Sequence, residues 1–178
     1  MKLKTIVFIA LVITSISSQA NILDNASPKQ GRFNIEKDLL LVQFDCKTDV
    51  DDLHTVAAFT TLVSRQPYSK INYHAVAGTY GTQEGLYVPP NDLFQLAFGD
   101  NWTDAHNNIQ GGVEKVKSKV IKTLVAGGDV WIADAGQSDF SAELVKAIQK
   151  DLPEIETSKR IHVVQHAEWN EEVTTPEK

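Results

Sequence analysis

Residues 45–52 read Asp45-Cys46-Lys47-Thr48-Asp49-Val50-Asp51-Asp52. Four carboxylates in eight residues repel one another unless something positive sits among them. Hard cations such as Ca²⁺ take several oxygen ligands, which clustered carboxylates supply. A competing reading needs no ligand. Asp49 serves as a helix N-cap, with Asp51 and Asp52 in the first turn, where acids complement the helix dipole. That accounts for three of the four acids but not for Asp45, which ends an apolar run. Lys47 is the one cation in the stretch, and two residues along a strand share a side. On that basis its ammonium is expected to stand among Asp45, Asp51 and Asp52 in place of a metal.

The elements that must position this cluster alternate. Leu39 to Phe44 is a nearly continuous apolar run, fitting a strand buried on both faces. From Val50 the period becomes helical, with Leu53, Val56, Ala57 and Thr60 on one face and Pro67 beyond the end. A second strand is expected at Ile71 to Ala77. A short helix follows Pro89-Pro90-Asn91-Asp92 through Phe98. Val113, Val116, Val120 and Leu124 mark a longer helix stopped at Gly127-Gly128. Val130 to Ala133 is a third strand. Phe140, Leu144, Ile148 and Leu152 define a further helix closed by Pro153, and Ile161 to Val164 is a fourth strand.

This order predicts an α/β fold, an open mostly parallel sheet with helices on both faces, Rossmann-like in class. Ligands of such sheets bind beyond the carboxyl ends of the strands. Four segments lie there: the acidic turn, Gly78 to Gly85, Asp134 to Asp139, and His166 to Asn170. After the fourth strand nothing is expected to cover or extend the sheet, so the chain reads as a fragment.

Against this frame the acidic turn resembles the N-terminal signature of the inosine–uridine-preferring nucleoside hydrolases, D-x-D-P-G-x-D-D after a buried strand. The resemblance implies a nucleoside hydrolase-like fold over roughly residues 38–172. It implies Asp45 and Asp52 as metal ligands, Asp51 on the ribose hydroxyls, and Asp45 and Asp51 as the catalytic acids. Val76-Ala77-Gly78-Thr79 is similar to the family's V-A-G-N, with Thr79 at the substrate-contacting position. Gly136 to Phe140 occupies the place of G-P-L-T-N, which puts Asp139 by the metal. Ala167-Glu168-Trp169-Asn170 resembles A-E-F-N, which makes Glu168, Trp169 and Asn170 sugar contacts. Lys47 stands where the family has its base, and Thr48-Asp49 replaces Pro-Gly. The family's C-terminal half, with its His and last metal-binding Asp, has no counterpart before Lys178. Lys47, Asp49, His54 and His166 are expected to modulate the site. The cofactor implied is Ca²⁺, with the Lys47 ammonium as its substitute.

The remaining features bound the setting. Lys2 and Lys4, the apolar run Ile6–Ile13 and Ser18-Gln19-Ala20 have the order of a cleaved export signal, with cleavage expected after Ala20. The expected organisation is a signal at 1–20, a polar lead-in at 21–37 and one α/β domain at 38–178. Loss of the two lysines and no acid takes the formal net charge from −6 to −8. Such a chain is a poor general partner for nucleic acid or an anionic membrane. The expected partner is a small nucleoside or sugar; the oligomeric state is not set by the sequence. Cys46 is the only cysteine, so no internal disulfide forms. Its apolar setting favours a buried, inert thiol. No G-x-S-x-G elbow, phosphate-binding glycine loop or zinc spacing occurs. Two functions from different classes follow: an exported hydrolase of N-glycosidic or related glycosyl bonds, and a non-catalytic sugar-binding protein of the same fold.

Overall fold

A computed structural model describes residues 31–47 and 50–178. The export signal and most of the lead-in lie outside these residues, as do Thr48 and Asp49. Among the described residues no helix is long and apolar enough to cross a membrane.

Five parallel strands form one open sheet. They are β1 (Leu39–Phe44), β2 (Tyr73–Ala77), β3 (Trp102–Asp104), β4 (Val130–Ala135) and β5 (Ile161–Gln165), in the order β3-β2-β1-β4-β5. The helices are α1 (Asp51–Val63), α2 (Asn91–Phe98), α3 (Ile109–Val125), α4 (Asp139–Asp151), α5 (Thr157–Arg160) and α6 (Glu168–Glu172), with a 3-10 turn at Tyr68–Lys70. The α/β class is as expected, and the sheet is entirely parallel.

Alternation along β1 divides the core. Leu39 and Leu41 join Val76, Val130 and Ile132 under α3 and α4, packed by Val113, Val116, Phe140 and Leu144. Val42 and Phe44 join Ala75 and Ala77 under α1 and α2, packed by Val56, Phe94 and Phe98. Both faces of β1 are therefore covered, which is why its sequence is apolar except for Gln43, whose buried amide donates to the Ser141 hydroxyl.

Several expectations are corrected. The sheet has five strands, not four; β3 spans only Trp102–Asp104, too short to give a periodic signal. The second strand starts at Tyr73 rather than Ile71. The face of α1 differs as well: Val56 and Asp52 are buried, whereas Ala57 is exposed. Val50, not Asp49, precedes the first turn of α1, and it supplies no side-chain cap. The end of the chain also packs back. The Val173 carbonyl accepts bonds from the Thr82 backbone N–H and hydroxyl, and the Thr175 N–H donates to Asp139 Oδ2. Residues after β5 thus cover the loops at the carboxyl end of the sheet, because their backbone groups find partners there.

Candidate functional site at the carboxyl end of the sheet

β1 lies between β2 and β4, so successive crossovers leave it in opposite directions. That switch point opens a crevice at the strands' carboxyl ends. There a pocket of about 240 Å³ is lined by Asp45, Lys47, Asp51, Asp52, Gln83, Ala135, Gly136, His166, Ala167, Trp169 and Asn170. Members of all four expected segments therefore meet.

Local backbone geometry builds the acidic wall. The Asp45 N–H still follows the sheet, donating to the Ala135 carbonyl. At Cys46 the chain enters the left-handed region with φ 56°. This conformation costs a non-glycine residue of order 1 kcal/mol or more. It ends strand geometry, so Asp45 and Lys47 are not related by strand alternation, contrary to expectation. The turn lets the Cys46 N–H donate to Asp52 Oδ2 at 2.8 Å and the Lys47 N–H donate to Asp45 Oδ1 at 2.8 Å. Cys46 is buried, and burial together with the Asp52 and Asp45 charges pushes its thiol pKa upward. It is an inert packing residue that fixes the bend.

The carboxyl of Asp52 lies beside that of Asp45, close enough for the two to share a proton. Asp52 is buried, and desolvation, offset in part by the Cys46 N–H, raises its pKa to about 7; the charges of Asp45 and Asp51 push the same way. Two adjacent carboxylates in poor solvent cannot both ionise cheaply, so the pair holds a proton to higher pH than a free aspartate does. Asp51 is exposed at the start of α1, and its Oδ1 accepts the Asp52 N–H.

Lys47 donates from Nζ to the Gln83 carbonyl at 2.6 Å, and its ammonium lies 4.0 Å from the centre of the Tyr80 ring. A carbonyl and a ring face are both electronegative, so this is a good seat for a cation. Tyr80 in turn hydrogen-bonds His106 at 2.7 Å, and His106 stacks on Tyr87.

The opposite wall comes from the segment after β5. Asn170 is buried, and the Gln137 amide bridges it to Gln83, donating to Asn170 Oδ1 at 3.1 Å and Gln83 Oε1 at 3.0 Å. Trp169 is 50 % exposed and borders the pocket. Ala167 also has positive φ, 62°. The two non-glycine residues with positive φ among those described thus both sit at this crevice. Backbone strain of this kind collects at functional sites.

Some expected site residues stand elsewhere. Thr79 is wholly buried beneath the pocket, and its hydroxyl has no partner among the described residues. Asp139 is buried at the start of α4, bound to the Thr175 N–H rather than facing Asp45 and Asp52. Glu168 is exposed and does not line the pocket, nor does the exposed His54. His162 serves Asp129 at the other end of β5, at 3.2 Å, whereas His166 lines the pocket. Asn101, in the glycosylation-like Asn101-Trp102-Thr103, uses its amide on His74 and on the Tyr73 carbonyl.

Residue-by-residue reading missed Gln83, which no motif marks and which a 36-residue separation from Lys47 hides. It also missed Asp134, wholly buried on β4. Asp134 Oδ2 accepts the Ser141 hydroxyl at 2.9 Å, Oδ1 has no hydrogen-bond partner among the described residues, and burial raises its pKa to about 7.

The donor set bears on Ca²⁺. Among the described residues no three His, Cys, Asp or Glu side chains converge as a metal site. Asp52 Oδ2 is taken up by the Cys46 N–H, Asp139 is turned to the Thr175 N–H, and a lysine shares the pocket. The described residues as arranged do not form a Ca²⁺ cage. Comparison of the chain with family models, curated proteins and solved structures finds no match to any of them.

Proposed function

We propose that this protein is a hydrolase of N-glycosidic or related glycosyl bonds, exported, acting on a small nucleoside or sugar at the crevice between β1 and β4. The observation that carries this reading is the Asp45–Asp52 pair, two neighbouring carboxyls lining one polar pocket, with Asp52 buried and its pKa raised by desolvation. A pair sharing one proton offers an acid and a base together. The ionised member of the pair takes a proton from water as the water oxygen bonds to the anomeric carbon. The carbon–nitrogen or carbon–oxygen bond breaks, and the leaving atom receives the proton held by Asp52. Asp51 is placed to meet sugar hydroxyls. Trp169 offers a face to the ring, and Asn170 shapes the pocket from behind.

Two observations favour the second reading, a binding protein that does no chemistry. Thr79 is buried out of reach of a ligand, and Lys47 stands at the position where the related signature has its base.

The deciding experiment incubates the purified chain with p-nitrophenyl β-riboside and a panel of nucleosides, and measures ligand binding calorimetrically in parallel. Turnover that disappears in Asp45→Asn and Asp52→Asn supports the hydrolase. Saturable binding without turnover selects the binding protein. Neither turnover nor binding sinks both readings.

A further inference from the structure

The two ends of a side-chain amide differ only in what they bond, so the partners of a network decide which way each amide is turned. Behind the pocket both ends of the network are backbone. The Gly81 N–H can only donate, and Gln137 Oε1 accepts it at 2.9 Å. Gln137 Nε2 is therefore the donor, and its two hydrogens go to Gln83 Oε1 at 3.0 Å and Asn170 Oδ1 at 3.1 Å. At the far end Asn170 Nδ2 donates to the His166 carbonyl, which can only accept. All three amides are thus fixed in direction, and the oxygen of Gln83 is spent on Gln137.

That leaves Gln83 Nε2. Gln83 is 8 % exposed and lines the pocket of about 240 Å³. Its oxygen is its bonded end, and no described residue accepts from its nitrogen. Among the described residues the side-chain polar atoms sealed off without a partner are Thr79 Oγ1, Tyr87 Oη and Asp134 Oδ1. Gln83 Nε2 is not among them, so it keeps an opening, and the pocket is the opening that Gln83 lines. A nearly buried donor, held by its other end, therefore faces the cavity.

We propose that Gln83 is a specificity-determining residue whose amide N–H donates to a hydroxyl oxygen of a neutral sugar, a proposal that rests on the reading of this pocket as a sugar site. The neighbouring groups select the hydroxyl. Asp45, Asp51 and Asp52 line the same pocket and offer acceptors. A ligand with acceptors alone meets Gln83 but sets its lone pairs, and any negative charge, against the carboxylates. A ligand with donors alone, such as an amine, satisfies the carboxylates but leaves the Gln83 N–H unpaired. A hydroxyl does both, giving its hydrogen to a carboxylate and accepting the amide N–H on its oxygen. Lys47 ties the two walls together, its N–H on Asp45 Oδ1 at 2.8 Å and its Nζ on the Gln83 carbonyl at 2.6 Å. The amide donor and the carboxyl acceptors are thereby held in one frame, as recognition of a hydroxyl from both sides requires.

The test measures calorimetric binding of methyl β-riboside and each of its monodeoxy analogues to the purified chain. One analogue is expected to bind the wild type about tenfold or more weakly than the riboside, because it leaves the Gln83 N–H unpaired. Gln83→Met has a side chain of similar length and no donor. It is expected to bind the riboside less tightly and to penalise that one analogue less, while the other analogues keep their wild-type ratios. Gln83→Glu keeps an oxygen for Gln137 and sets an acceptor where the donor stood, so it supplies the same reading if the methionine variant fails to fold. The proposal is overturned if every analogue binds the wild type as well as the riboside does. It is also overturned if the folded variant binds the riboside unchanged, or weakens the riboside and all analogues alike, the mark of a merely structural residue. A wild type that binds none of these ligands overturns it together with the sugar-site reading, whereas riboside binding that does not depend on Gln83 overturns it alone.

Discussion

The Asp52 carboxyl reaches back across the bend at Cys46, its Oδ2 accepting the Cys46 N–H at 2.8 Å, and lies beside the carboxyl of Asp45. The same side chain therefore fixes the turn and forms half of the carboxyl pair. Asp52→Asn separates the two roles. The amide oxygen still accepts the Cys46 N–H, so the variant is expected to fold with a near wild-type melting temperature. Loss of the exchangeable proton is expected to lower kcat about 10²–10⁴-fold on the riboside substrate. A folded variant with undiminished kcat removes Asp52 from the chemistry.

Activity should depend on the proton that this pair holds. As pH rises through about 7 the pair loses it, and the acid needed by the leaving group is gone. The expected profile of kcat/KM falls on the alkaline side of neutrality, and in Asp52→Asn that limb disappears. A flat profile from about pH 5 to pH 9 would contradict the shared-proton scheme.

Gly136 follows β4 with φ 125°, and a Cβ there would stand 2.6 Å from the Thr79 carbonyl oxygen and 2.7 Å from Asp45 Cβ. Gly136→Ala is expected to destabilise the fold by about 1–3 kcal/mol, read in a denaturant titration. It should also displace Asp45 and depress activity beyond what the stability loss accounts for. A variant as stable and active as wild type would mean that this approach is looser than described.

Asp134 binds a proton in the folded state up to about pH 7 but in the unfolded chain only to its ordinary value near 4. Within that window the native state holds more protons, so this group lowers stability as pH rises. Asp52 acts in the same sense. His74, buried with its pKa lowered to about 4 by desolvation, acts oppositely, since the unfolded chain binds its proton up to about 6.5. Asp134→Asn removes one of the two falling contributions. Melting temperatures between about pH 4.5 and pH 7.5 should therefore rise more, or fall less, with pH in the variant than in wild type. Parallel curves would show that Asp134 does not carry the shift.

Lys47 is seated on the Gln83 carbonyl and the Tyr80 ring, and a cation there disfavours a second one nearby. Ca²⁺ titration by calorimetry is expected to give no specific heat with the wild-type chain and saturable binding with Lys47→Asp. Tight Ca²⁺ binding by wild type, lost in Asp52→Ala, would restore a metal to the site and retire the reading of Lys47 as its substitute.

The sequence by itself determined the fold class and the place of the candidate site. Helical and strand periods report which side chains must leave water, and that pattern is local. It located β1, α2, α4 and β5 to within a residue or two and the body of α3, whose first turn it missed, and it placed the acidic turn at a strand end. It did not reveal β3, whose three residues gain stability by pairing with β2, a contact distant in sequence. Nor did it place the side chains of the site. Thr79 and Asp139 sit in motif-like positions, yet one is buried and the other bonds the chain end, because loop backbones decide where a side chain points. The approach of Asp52 to Asp45 depends on the left-handed turn at Cys46, and Gln83 is tied to the pocket by its bonds to Lys47 and Gln137. Burial is written in composition and spacing. Convergence of groups from separate loops, and the proton that such convergence holds, exist only once the chain has closed.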